Sequence, residues 1–305
     1  MHPSNVPELV TMARGAHDAR TPLRVVGGGS WLHAGGTVRA DAERLELSGL
    51  AGVLEYVPGD LTLTARAGTT LAEIDAATAP HGQWCPLLPW GGDEATLGAV
   101  FATATGGPCA KALGRPRDLA LGLEFVDGTG TLVRAGGRVV KNVAGFDLTR
   151  LLVGSWGTLG AITELSVRLR ARPKVDETWV LSREPGDAAA AARIDAFERG
   201  PHAPLALQRV DAAQCGLLGL EPRDVALVRI GGNASFVASS RAALREVGDV
   251  RPCDTAIWTR CRALATDDPR LETAHALSDA LSRRVKQKFD PRHILNPGIF
   301  GEVSA

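Results

Sequence analysis

Apolar and polar side chains alternate in short runs through the first third of the chain. Residues 53–57 and 62–67 alternate in this way, which predicts two half-buried strands. Pro58-Gly59-Asp60 lies between them and predicts a tight turn. A further strand is expected near 44–47, and "PLRVVGG" predicts one that leads into a glycine-rich loop. The period lengthens at about 70–80, a helix whose N-cap is Thr69 or Thr70, with Glu73 near the capping-box place. The first twenty residues form an amphipathic helix pattern.

Small residues fill 96–105, a short helix ended by Gly106-Gly107-Pro108. "LGLEFVDGTGTLV" reads as a hairpin turned at Asp127-Gly128. A helix around 146–153 stops at Gly154, and Gly154, Gly157 and Gly160 punctuate a turn before the strand "AITELSVRLRA". Short turns join these strands, with no long helices interleaved. The first half is therefore α+β and not a doubly wound parallel sheet.

The pattern changes near Pro173. "ETWVLS", "LALQRV" and "DVALVRIGG" read as strands, and "DAAAAARIDAFERG" and "VASSRAALREVG" as helices between them. The expected division is a first domain over 1–173, a smaller α+β domain over 174–288 and a tail over 289–305. The tail is Pro-rich but keeps Phe289, Ile294, Leu295 and Phe300, which predicts that it docks.

Composition narrows the function. The 305 residues carry 34 Lys plus Arg against 34 Asp plus Glu, a balance that argues against a nucleic-acid binder. The cysteines, Cys85, Cys109, Cys215, Cys253 and Cys261, are scattered and form no C-x-x-C. That excludes the familiar iron–sulfur and zinc frameworks and fits a reducing compartment. Glu272 and His275 stand three apart, but within a run that reads as an ordinary amphipathic helix, so no metal site is expected. No apolar run approaches the roughly 20 residues of a membrane span, and the N-terminus has no basic-then-apolar leader. A cytoplasmic protein is expected, with any peripheral membrane association made through partners.

The candidate chemistry sits in "VVGGGSWLHAGG". A Rossmann fingerprint needs a glycine where Leu32 stands, and a helix after it, and neither is present. No Lys-Ser or Lys-Thr closes a P-loop. From these residues alone the loop is either a plain turn or a cradle for a ligand that the backbone must approach closely.

The order of five motifs decides further. "VVGGGSWLHAGG", "ATLGAVFATATGGP", "GRPRDLALGLEFVDGTGTLV", "VGSWGTLGAITELSVRL" and "FDPRHILNPG" together resemble the PCMH-type FAD-binding family, whose members include vanillyl-alcohol oxidase. Within it, "GGRVVKNVAGFDLTRLLVGSWGTLG" is most similar to FAD-binding subunits of glycolate dehydrogenase (glycolate oxidase). The resemblance implies that Gly27, Gly28, Gly29, Ser30 and Trp31 line the FAD diphosphate. It sets Thr96, Leu97 and Gly98 against the flavin, and Thr103 and Gly106 by the ring or ribityl chain. Gly154, Gly157, Thr158, Gly160 and Ile162 would contact the adenosine half, and Asn296 would close over the isoalloxazine. The FAD would sit between the domains.

Covalent members of the family often carry a histidine where this chain has Ser30. Non-covalent FAD is therefore expected, with His33 on the loop surface and Cys109 as the rival attachment point. Lys141, Asn142 and Phe146 would lie at the flavin or substrate edge, Lys141 as an anion anchor. The other reading puts Phe146 in the core and Lys141 on a solvated face.

The H-x-x-x-G-x-x-H type metal spacing of self-sufficient relatives is absent from the sequence. The resemblance thus implies a FAD-binding subunit that oxidises a small 2-hydroxy acid together with a companion flavin subunit and an iron–sulfur subunit. The alternative is a self-contained FAD-dependent 2-hydroxy-acid dehydrogenase of the D-lactate type.

Overall fold

The computed structural model describes residues 1–92, 94–137, 147–183, 186–264 and 280–300. Helix α1 (Val6–Ala19) starts at Asn5, whose side chain accepts the Glu8 N–H at 2.9 Å, and ends at the left-handed Arg20. It buries Leu9, Ala13 and Ala16 against Leu23 and Leu45. Those two come from β1 (Leu23–Val26) and β2 (Glu43–Glu46), which pair in parallel.

Five antiparallel strands form the main sheet. In spatial order these are β3 (Val53–Val57), β4 (Thr62–Arg66), β8 (Ala161–Arg168), β6 (Ala120–Val126) and β7 (Leu132–Gly136). One face carries Leu63, Ala65, Leu123, Phe125, Leu165 and Val167. Helices α2 (Leu71–Thr78) and α3 (Leu97–Thr103) pack into the same core through Leu71, Ile74, Val100 and Phe101. The capping box is present: Thr70 Oγ1 accepts the Glu73 N–H at 3.1 Å, and the Glu73 carboxylate accepts the Thr70 N–H at 2.7 Å. α3 is shorter than the small-residue run, because Ala104 turns left-handed at φ 57° before the glycines are reached. The hairpin turn rests on Asp127, whose carboxylate accepts the N–H groups of Thr129 and Thr131.

A second sheet, in the order β11 (Ala206–Val210), β12 (Val225–Gly232), β10 (Val175–Ser182) and β13 (Val250–Cys253), is also antiparallel. β12 is buried on both faces. Ala226, Val228 and Ile230 pack with the helices Ala188–Arg199 and Ala234–Val247. Val225 and Leu227 pack the other way, against Trp84, Cys109 and the helix Ile257–Leu264. Trp84 belongs to β5 (Gln83–Trp84), which pairs with β9 (Arg170–Ala171). Two guanidinium groups lie over its ring, Arg172 at 5.7 Å and Arg229 at 5.3 Å from the centroid. Arg229 is held in turn by Asp176, at 2.9 and 2.6 Å.

After the helix Ala280–Phe289 the chain returns to β1. Leu23 and Leu295 form a parallel bridge, and Ile294 and Leu295 are buried beside α1.

Candidate functional site

β1 delivers its C-terminal end to the mouth of a partly open cleft. The walls are the glycine loop after β1, one side of α3, the turn before β8 and the returning tail.

The glycine loop is built for close approach. A Cβ at Gly27 would stand 2.3 Å from Thr96 Oγ1, so only glycine fits there. Gly29 sits at φ 84°, where L side chains are strained. Among the described residues, no protein acceptor takes the backbone N–H groups of Gly27 through Trp31. A run of free amides at a concave turn is an anion nest. The charged side chain among the lining residues is Arg24, whose guanidinium donates to the Leu32 carbonyl and so braces the loop.

Two buried polar atoms in these walls lack a protein partner, Trp31 Nε1 and Thr96 Oγ1. Burying such atoms unpaired costs about 1–3 kcal/mol each. A ligand with acceptor oxygens removes that cost. The residues therefore fit an anionic, hydrogen-bonding group such as a diphosphate.

The opposite wall is held by Asn296. Its Oδ1 accepts the Val25 N–H at 2.7 Å, and its Nδ2 donates to the Trp156 carbonyl at 2.6 Å. Its own N–H donates to the Leu23 carbonyl at 2.8 Å. Asn296 and Trp156 are both left-handed, at φ 44° and 53°. Such strain in non-glycine residues persists where the surroundings over-determine it and gathers at ligand sites. The Trp156 N–H is satisfied by Ala102 at 2.8 Å.

Of the residues expected at the site, Gly27, Gly29, Ser30, Trp31, Thr96, Gly98, Thr103, Gly157, Gly160, Ile162 and Asn296 line this one cleft. Five do not. Gly28 faces the Glu94 carbonyl, 3.1 Å from where its Cβ would be, and its φ is not positive. Leu97 is a core residue with no exposure, and its N–H already serves the Thr69 carbonyl. Gly106 packs on Ala110 and Pro116. The Gly154 N–H donates to Phe101, and the buried Thr158 hydroxyl donates to Ser155. Each of these five stands one residue or one turn away from the wall that its neighbours form.

The described lining residues come from 24–162 and from the tail, not from the second sheet. Cys109 is fully buried in the core under that second sheet, away from the cleft, and His33 is exposed. Lys141, Asn142 and Phe146 lie outside the described residues, as do Glu272 and His275. Among the described residues no cluster of His, Cys, Asp or Glu could hold a metal, and no helix is long and apolar enough to cross a membrane.

The motif reading did not single out Arg24, Ala99, Ala102, Trp156 or Ile299, all of which line the cleft. The signal for Ala99 and Ala102 was the three-residue spacing of small side chains on α3. For Trp156 it was an aromatic among three glycines.

Residues 1–136 match a family model described as "FAD binding domain". The chain is 40% identical over 167 residues to glycolate oxidase subunit GlcE of Escherichia coli (strain K12), covering 54% of this chain and 47% of that protein. It is 28% identical over 297 residues to D-2-hydroxyglutarate dehydrogenase of Xanthomonas citri pv. viticola, covering 94% of this chain and 62% of that one. It thus spans less than two thirds of either relative's length. Among solved structures, an alkyldihydroxyacetonephosphate synthase superposes with a TM-score of 0.74 at 16% identity, over 97% of this chain and 76% of the other. That likeness concerns the fold.

Proposed function

We propose that the chain is the FAD-binding subunit of a glycolate-oxidising complex, a reading that starts from the match of residues 1–136 to a FAD-binding domain model. The observation that carries this reading is the cleft itself: Gly27, Gly29, Ser30 and Trp31, whose amides have no protein acceptor among the described residues, line one cleft together with Asn296. The 40% identity to a glycolate oxidase subunit supports the choice of substrate class. The proposed organisation is a FAD-binding domain over 1–173, a smaller domain over 174–288 and a tail over 289–305 that packs back on the first.

FAD held in this cleft would supply the two-electron acceptor for oxidation of a 2-hydroxy acid. The chain's share of the work is binding and orientation. The nest amides hold the diphosphate, and Gly27 lets the backbone come within hydrogen-bond reach. Thr96 Oγ1 and Trp31 Nε1 offer further donors, while Asn296 fixes the far wall. In this reading the FAD is held non-covalently, since Ser30 offers only a weakly nucleophilic hydroxyl where covalent relatives have a histidine, and Cys109 is buried elsewhere. Oxidising a 2-hydroxy acid also calls for a base and for cations that hold the carboxylate. Among the described lining residues no carboxylate or histidine could act as that base. The companion flavin subunit supplies it in this reading, and an iron–sulfur subunit takes the electrons.

The match to D-2-hydroxyglutarate dehydrogenase, which reaches across 94% of the chain, favours a second reading as a self-contained 2-hydroxy-acid dehydrogenase. Dye-linked oxidation of glycolate and D-lactate separates the two. The chain alone should be silent, and co-expression with the two partner subunits should restore turnover. Turnover of about 1 per second or more by the chain alone, an ordinary enzyme rate, would defeat the subunit reading and establish the self-contained one.

A further inference from the structure

Lys286 has 1% of its surface exposed, and lysine is rarely buried so far unless every proton of its ammonium is used. Here all three are. Nζ donates to Asp290 Oδ2 at 2.6 Å, to the Thr158 carbonyl at 2.8 Å and to the Leu295 carbonyl at 3.0 Å. The acceptors belong to three different segments. Asp290 ends the last helix, Thr158 lies in the turn before β8, and Leu295 is on the returning tail. Asp290, itself fully buried, also accepts the N–H groups of Ile294 at 3.0 Å and Leu295 at 2.8 Å, which folds the tail toward β1.

Two of these contacts sit next to the Asn296 bonds. Leu295 directly precedes Asn296. Thr158 is two residues from Trp156, whose carbonyl takes the Asn296 amide. The ammonium therefore sets the spacing between the two segments that Asn296 joins. A buried ion pair is a poor source of stability by itself, since apolar residues of similar volume often do as well. Three directional donors fix geometry, which an apolar side chain cannot.

We infer that Lys286 is a positioning residue for the cofactor cleft: it holds the 154–160 turn and the tail in the register that lets Asn296 close the wall, so FAD affinity depends on Lys286 through Asn296. The inference rests on the FAD reading of the cleft.

The test is a double-mutant cycle on the apoprotein. FAD is titrated into wild type, Lys286→Met, Asn296→Ala and the double variant, and the Tm of each apo form is recorded. Each single variant should weaken FAD binding at least tenfold. The double variant should be little weaker than the worse single, while the Tm loss from Lys286→Met should be the same with Asn or Ala at 296. FAD affinities that multiply independently, or an unchanged affinity in Lys286→Met, would overturn the inference. Wild-type protein that takes up no FAD would instead defeat the cofactor reading itself. Hydrogen exchange on the wild type covers the case in which Lys286→Met does not fold. FAD should slow exchange in 154–160 and 290–299 together, and a tail whose exchange ignores FAD would overturn the inference.

Discussion

A Cβ at position 157 would stand 2.8 Å from Asn296 Nδ2, so the bare backbone of Gly157 and the carboxamide of Asn296 are two halves of one contact. Gly157 also sits at φ 69°. Gly157→Val adds backbone strain of order 1–3 kcal/mol and pushes the Asn296 side chain off its place. The expected result is at least a tenfold loss of FAD affinity, read by titration of the apoprotein. A variant that binds FAD like wild type would mean that Asn296 does not shape the site.

The glycine loop gives a second expectation. Gly27→Val places its side chain on Thr96 Oγ1, where even a Cβ comes within 2.3 Å. FAD affinity should fall about tenfold or more, which is roughly 1.4 kcal/mol, while the far-ultraviolet circular dichroism stays native. Gly28→Val is the control. Its Cβ would meet the Glu94 carbonyl at 3.1 Å and it needs no left-handed backbone, so its effect should be smaller. Equal losses at 27 and 28 would show that the loop responds to bulk anywhere along it.

What was legible in the sequence was local. Thr70 and Glu73 form their capping box through bonds three residues apart, and Asp127 makes its turn with Thr129 and Thr131. Those interactions are fixed by spacing, so the motif suffices. Which side of α3 faces the cleft was not legible. Leu97 and Ala99 both sit in a run of small or apolar residues, and only the sheet beneath decides that Leu97 is core and Ala99 wall. Lys286 and Lys288 look alike in "VKQKFDP", yet one is sealed inside and the other is not. The difference is made by Thr158 and Leu295, whose carbonyls reach the ammonium only after the tail has returned.

The mode of flavin attachment is tested by acid. Purified protein should be yellow, and precipitation with trichloroacetic acid should leave the colour in the supernatant. Colour held in the pellet would contradict the non-covalent assignment. A colourless protein that takes up no added FAD would contradict the assignment of the cleft.

Burial governs the thiols and gives a pH expectation. Desolvation pushes Cys85 and Cys261 from an ordinary value of 9.0 up to about 12, and Cys109 to about 11. The folded state therefore keeps protons that the unfolded chain loses above pH 9. Stability from these neutral thiols is complete below pH 9 and declines as pH rises toward 11–12. The slope is at most about 1.4 kcal/mol per pH unit for each thiol. Thermal melts between pH 8 and 10.5 should show the decline, and Cys85→Ala should make it shallower. A slope unchanged in Cys85→Ala would mean that this thiol is not the buried proton holder.

The bond from the Val25 N–H to Asn296 spans 271 residues of sequence. At about 5–20 residues per second, a ribosome takes roughly a quarter of a minute to a minute to travel that distance. Throughout that interval the glycine loop exists without its opposite wall. Cofactor capture thus belongs to the moments after synthesis, when codon 296 has been read and the new tail has reached β1. A chain cut short upstream of that codon keeps the glycine loop but lacks the wall that Asn296 holds, and it should retain a flavin poorly. Colour in a purified preparation is then a test of completion, separating finished molecules from those that merely folded.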